Sequence, residues 1–155
     1  MPPSNQLTFS ILSHGSPQYH QAVALREALL RRPLGKTFTP QELDWEKDHV
    51  QVAGLVDHKV VATAILEPQG QVFKMRRVAV QGDLQGLGLG SKLLDFCEQY
   101  ARSQQVHAIW AYARVVVLGF YEKNGYPVVG QVFDYEGIPH VRVQKNLLPP
   151  LTPTV

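Results

Sequence analysis

Cysteine is almost absent: Cys97 is the only one in 155 residues, so an intramolecular disulfide is excluded and no Cys/His set with the spacing of a structural zinc site exists. A reducing compartment, and hence a cytoplasmic location, is the expectation. Long apolar runs are also missing. Nowhere do about 18 consecutive apolar residues occur, and Met1–Gln6 carries neither a basic nor an apolar stretch, so neither a signal peptide nor a membrane span is expected. Charge of either sign is sparse. Charged residues make up 18%, and 15 Lys and Arg against 13 Asp and Glu leave a net +2, with the basic residues scattered rather than striped. A dedicated nucleic-acid binder needs a phosphate-tracking basic surface, so that class is excluded.

What is present is enough apolar material for a core, 45% hydrophobic residues, in a chain of one-domain length. The expected organisation is a single domain over 1–148 and a proline-rich tail over 149–155. Leu7–Leu12 reads as a first strand. Ser16 as N-cap and Pro17 at the first helical position open an amphipathic helix carrying Ala22, Leu25 and Leu29, stopped by Pro33-Leu34-Gly35. Thr39-Pro40-Gln41-Glu42 fits a capping box at the start of a short second helix. Val50–Val56 and Val60–Leu66 read as a hairpin over a three-residue loop, Asp57-His58-Lys59, and Glu67-Pro68-Gln69-Gly70 as the next turn.

Gln71–Val80 continues as a strand into a glycine-rich loop from Gly82 to Gly90. A helix follows, with Leu89, Leu93, Phe96, Cys97, Tyr100 and Ala101 on one face. Strand Val106–Ala113, a short helix Val116–Lys123 ending at Asn124-Gly125, and strands Val128–Phe133 and His140–Leu147 across an Asp134–Gly137 turn complete the chain. The order β-α-α-β-β-β-α-β-α-β-β predicts an α/β fold with a mixed, mostly antiparallel sheet flanked by helices.

The loop Gln85-Gly86-Leu87-Gly88-Leu89-Gly90 sits between a strand and a helix start, where uncommitted amides and the helix dipole favour an anion. A dinucleotide fingerprint begun at Gly86 is not completed. Gly90-Ser91-Lys92 also reverses the Gly-Lys-Ser/Thr order of a nucleotide-triphosphate loop. What fits is Gln-x-x-Gly-x-Gly at Gln85, Gly88 and Gly90, directly after Arg77-Val78-Ala79-Val80.

These residues resemble the coenzyme A signature of the GNAT-type N-acetyltransferases, and Phe120-Tyr121-Glu122-Lys123-Asn124-Gly125-Tyr126 resembles that family's second signature. The likeness spans about Val50 to Leu147, and Ile138–Arg142 is similar to a small bacterial single-domain subgroup. It implies the GNAT acyl-CoA N-acyltransferase fold, with acetyl-CoA as co-substrate. In the family the loop amides hold the pyrophosphate, which would fall to Gln85, Gly86, Leu87, Gly88, Leu89, Gly90 and Ser91. The preceding strand diverges from its neighbour and offers its main chain, here Val78, Ala79 and Val80, to the pantetheine arm and thioester. Tyr121 would protonate the departing thiolate.

The activity so implied is transfer of an acetyl group directly to a primary amine of a small molecule, peptide or protein, through a tetrahedral intermediate without an acyl-enzyme. No metal enters. The resemblance is compatible with a homodimer. Arg114 and Val117 stand where the family often has Asn and Ala, which leaves room for the alternative of a non-catalytic acyl-CoA-binding sensor or interaction module.

Other polar residues admit plainer readings. Cys97 on an apolar helix face reads as an inert buried thiol, and His107 as structural. Asp44, Glu46, Asp48 and His49 read as a solvated surface or acceptor-site rim rather than metal ligands. Arg76 and Arg77 should point to opposite faces of their strand, where either could meet an acidic acceptor. Glu67, Glu136 and His140 are candidate bases, with a water chain as the alternative.

Overall fold

The first helix starts where its capping chemistry dictates. In the computed structural model, which describes residues 7–147, the Ser16 side chain accepts from the Tyr19 amide and Pro17 opens α1 (Pro17–Arg26). The helix widens into a π-type turn over Glu27–Arg31, tightens over Arg32–Leu34 and ends at Gly35, whose φ is 69°. At α2 (Pro40–Trp45) both halves of the capping box form between Thr39 and Glu42. The strands are β1 (Leu7–Leu12), β2 (Val50–Val56), β3 (Lys59–Gln69), β4 (Val72–Val80), β5 (Ala108–Arg114), β6 (Val128–Tyr135) and β7 (Ile138–Asn146). With α3 (Leu89–Ser103) and α4 (Leu118–Lys123) they reproduce the expected order. Hydrogen bonding runs β1-β2-β3-β4-β5-β7-β6. The expected tail at 149–155, like residues 1–6, lies outside the described residues.

Three turns differ from expectation. The β2–β3 loop has two residues rather than three: Asp57 (φ 50°) and His58 (φ 65°) both adopt the left-handed conformation, and Lys59 joins the ladder opposite Val56. Left-handed central residues match the twist of the flanking strands, which favours the shorter loop. Glu67–Gln69 continues β3, and the chain reverses only at Gly70, whose φ is 66°. The last hairpin is likewise tighter, with β6 reaching Tyr135 and β7 starting at Ile138 around Glu136-Gly137.

The described chain divides into two compact units, one of residues up to 67 with 75–97, the other of 68–74 with residues from 98 onward. In the first, β1 and β2 pair antiparallel, and Ala22 of α1 lies in a core with Ala53, Leu55 and Val60, covered by Leu12 and Leu25. Gly54 is held small by its surroundings, because an added Cβ would lie 2.9 Å from Phe9 Cε1, and Phe9 itself stacks on Phe96 at 5.5 Å. Gly54→Ala is therefore expected to destabilise the protein by about 1–3 kcal/mol through overpacking, read as a lower denaturant midpoint at unchanged slope.

In the second unit β5 and β7 pair antiparallel along their lengths, from Ala108↔Asn146 to Arg114↔His140. The parallel β4–β5 register covers Val72↔Ala108 to Lys74↔Trp110. Buried Glu98 accepts from Tyr126 Oη at 3.0 Å and from Lys145 Nζ at 2.8 Å, so a charge on α3 is satisfied by the chain just after α4 and by β7.

Candidate active site

Val78, Ala79 and Val80 end β4, with Ala79 buried and its neighbours half-buried. A single 3-10 turn, Gly82–Leu84, follows. Gln85 then folds back and its Nε2 donates to the Val80 carbonyl at 2.9 Å, closing the loop onto the strand that precedes it. Gly86 (φ 83°) and Gly88 (φ 80°) take a conformation that side chains disfavour, and nothing lies within 4 Å of a Cβ built on either.

Leu87 is exposed, Leu89 is buried beneath the first turn of α3, and Gly90 and Ser91 complete that turn. Lys92 bonds back to the Gly88 carbonyl at 3.2 Å. The first amides of a helix have no intrahelical acceptor, so the start of α3 presents them beside an open glycine surface, a cradle that fits a pyrophosphate. All ten residues proposed for the cofactor thus lie together in the first unit.

Tyr121 belongs to the second unit, on α4. It is buried, its ring edge-on to Phe120 at 5.2 Å and to Tyr126 at 6.0 Å. Its carbonyl accepts from the Asn124 and Tyr126 amides at 3.1 and 3.0 Å, and Gly125 turns the chain at φ 87°. Asn124 Nδ2 donates to the Phe120 carbonyl at 2.8 Å and Lys145 Nζ to the Asn124 carbonyl at 3.1 Å, so the helix end carrying the tyrosine is bonded on several sides. Val117, one of the departures from the family pattern, caps α4 without a side-chain bond, and Arg114 is the last residue of β5.

The acidic group after the capping box differs most from expectation. Glu46 is not a solvated or rim residue: it is fully buried, in an ion pair with equally buried Arg26, and it accepts from Tyr19 Oη at 2.9 Å. Arg26 Nη1 also donates to Gln51 Oε1 at 3.2 Å, and Gln51 Nε2 to the Glu46 carbonyl at 3.1 Å. Burial, reinforced by the Glu46 carboxylate, pushes the Tyr19 phenol up to about 12. One signal was available in the sequence: Arg26 falls four residues after Ala22 and seven after Tyr19, on the apolar face of α1. Among the described residues no group of three or more His, Cys, Asp and Glu could hold a metal ion.

Arg77 is drawn into the same network rather than held out for an acceptor. Its Nε lies 3.4 Å from Glu46 Oε2 and its Nη2 3.7 Å from Glu42 Oε2, with the guanidinium over the Phe38 ring at 4.6 Å. Its φ of 55° is left-handed, within a strand. Burial lowers its pKa. Arg76 donates to Glu67 at 3.1 Å and lies over Trp45 at 4.8 Å, so one candidate base is already ion-paired. His49 lies edge-on to Trp45 at 4.4 Å, and burial lowers its pKa. In the second unit His140 Nδ1 is 2.7 Å from the Ile138 carbonyl, and its ring stacks on Phe133 at 6.0 Å.

Glu42 gives a pH prediction. Arg31 donates to both its oxygens, at 3.2 and 2.6 Å, and this pairing holds the carboxyl down at about 2 against an ordinary 4.5. Because the folded value is depressed, the contribution is complete above pH 4.5 and is lost as pH falls towards 2. The pair is partly exposed, so Glu42→Gln is expected to cost about 0.5–1 kcal/mol at neutral pH and to flatten stability against pH across that acid window, measured by denaturant titration at each pH.

The sequence model of the Acetyltransferase (GNAT) family matches residues 19–126. A Bacillus subtilis (strain 168) protein provisionally named an acetyltransferase is 32% identical over 86 residues, which are 56% of this chain and 58% of that protein, so the match spans less than two thirds of the relative. Among solved structures, a protein from Lactobacillus plantarum provisionally named an N-acetyltransferase gives a TM-score of 0.81 at 25% identity, covering 93% of this chain and 100% of that one. An aminoglycoside 6'-N-acetyltransferase complexed with coenzyme A gives 0.79 at 16% identity over 94% and 99%, a likeness of fold. With a family match over most of its length, a glycine cradle at the end of β4 and these neighbours in fold, the chain belongs to the GNAT acetyltransferase family.

Proposed function

We propose that residues 1–148 form an N-acetyltransferase domain that moves an acetyl group from acetyl-CoA directly to a primary amine. The observation that carries this reading is the cradle at the end of β4, where two left-handed glycines with open space beside them lead into uncommitted helix-start amides. Bound acetyl-CoA supplies the acetyl group as a thioester, and the amine nitrogen forms the C–N bond before the C–S bond breaks. Amides from Gly86 to Ser91 anchor the pyrophosphate. Main-chain groups at Val78 and Val80 orient the thioester and polarise its carbonyl, as fixed dipoles do for a developing oxyanion.

Tyr121 gives its phenolic proton to the departing thiolate. The proton released by the amine passes to water, Glu67, Glu136 or His140. Acceptor choice falls to Gly35–His49 and Asp134–His140, which differ in character from the cofactor loop, and the acceptor is an amine of a small molecule, peptide or protein. A cytoplasmic location belongs to the same reading. Among the described residues no helix is long and apolar enough to cross a membrane.

Calorimetric titration with acetyl-CoA, and with CoA lacking the acetyl group, tests the reading. Saturable binding of both is expected, followed by steady CoA release with one or more members of an amine panel. Absence of binding up to millimolar ligand would make the loop a turn and end the assignment. Tight binding without release by any amine would instead mark an acyl-CoA sensor.

A further inference from the structure

We propose that Arg77 is a positioning residue for the acyl end of acetyl-CoA: its side chain, caged by Glu46, Glu42 and Phe38, holds a left-handed joint in β4 that aims the main chain of Val78–Val80. The proposal rests on the cofactor reading above.

The backbone comes first. Asp57, His58, Gln105 and Glu136 share the left-handed region with Arg77, but none of them is within a strand. A long side chain in this conformation is disfavoured, and such residues persist where their surroundings over-determine them. The surroundings here are unusually committed. Arg77 reaches Glu46 and Glu42 at 3.4 and 3.7 Å, its guanidinium lies over Phe38 at 4.6 Å, and its side chain is only 12% exposed.

Glu46 cannot move to follow a different Arg77 geometry, because it is fully buried and already held by Arg26 and by Tyr19 Oη. Arg77 Nε and Glu46 Oε2 face one another without hydrogen-bond alignment, and both are buried with no hydrogen-bond partner. The ion pair with buried Glu46, the contact with Glu42 and the ring of Phe38 therefore hold the Arg77 side chain beside the joint.

The consequence falls on the next residues. A left-handed residue inside a strand redirects the peptide groups that follow it. Those groups belong to Val78, Ala79 and Val80, and the far end of the segment is tied by Gln85 to the Val80 carbonyl at 2.9 Å. The stretch assigned to the thioester is thus held at one end by the cradle loop and at the other by Arg77. Glu42 and Glu46 lie within Gly35–His49, so the anchor also fastens the acceptor-selecting segment to the cofactor strand.

The decisive substitution is Arg77→Gly, which tolerates the left-handed backbone but removes the cage contacts. Calorimetry with acetyl-CoA and with CoA reads the ratio of the two affinities, and thermal unfolding reads stability separately. A residue that only stabilises the fold would lower the melting temperature and leave the ratio alone. The expected result is a ratio that falls about tenfold, the effect of one misdirected hydrogen bond to the thioester carbonyl, while affinity for CoA, which keeps the pantetheine arm but has no acetyl carbonyl, falls less.

A folded Arg77→Gly with the parent's ratio overturns the proposal. If that variant does not fold, Arg77→Lys carries the test: it keeps the charge and loses the planar fork, so the ratio should fall about threefold, and an unchanged ratio again overturns the proposal. Failure of the parent protein to bind either ligand would instead sink the cofactor reading and this proposal with it.

Discussion

Tyr121→Phe is expected to lower turnover by about 10²–10⁴-fold, the range for loss of a positioned general acid, while affinity for acetyl-CoA stays within about twofold. The substitution isolates one atom. The phenylalanine ring keeps the edge-on contacts with Phe120 and Tyr126, and the α4 end remains bonded through the Tyr121 carbonyl and through Asn124. Only the phenolic donor is lost, so the departing thiolate must leave unprotonated or wait for water. The measurement is steady-state CoA release with an active amine, alongside calorimetric affinity for acetyl-CoA. An unchanged rate would remove the acid role. A loss of affinity as large as the loss of rate would place the hydroxyl in binding instead.

Glu46→Ala should be the most damaging substitution for stability, at about 3–5 kcal/mol, because it strands a buried charge. Arg26 has no exposed side-chain surface and would lose its carboxylate partner, Tyr19 would lose its acceptor, and Arg77 would keep, of its two carboxylates, only the more distant Glu42. For a chain of this size each kcal/mol moves the midpoint by roughly 2–4 °C, so a fall of about 10 °C is the working expectation in a thermal melt. Arg26→Met with Glu46→Leu should cost less than Glu46→Ala, since removing both charges avoids most of the desolvation penalty. Arg77 still lacks its partner in the double variant, so recovery stays partial. A Glu46→Ala protein within 1 kcal/mol of its parent would mean that water reaches and solvates Arg26.

These two residues differ in how visible they are in the sequence. Tyr121 stands in a contiguous signature, seven residues from Phe120 to Tyr126, and a local pattern of aromatic, glycine and helix stop can be read without knowing what surrounds it. Glu46 looks like its neighbours Asp44 and Asp48, charged residues on a short helical turn. Its burial depends on partners that are 20 residues away at Arg26, 27 at Tyr19 and 31 at Arg77.

The sequence by itself determined the order of elements, the Ser16 and Thr39 caps, the apolar face of α3 and the two motifs, because each depends on periodicity or capping within a few residues. The glycine-rich turn was legible for the same reason: glycines that tolerate positive φ lie next to a helix start, and Gly86 and Gly88 adopt it.

Only the tertiary structure decided where β3 ends, that the β2–β3 loop holds two residues, and that Glu46 is buried while Arg77 is kinked and caged. A strand end is set by which residues find a partner across the sheet, and a buried ion pair by which distant charges arrive at the same place. Both are consequences of long-range contact, and neither leaves a periodic trace in the chain.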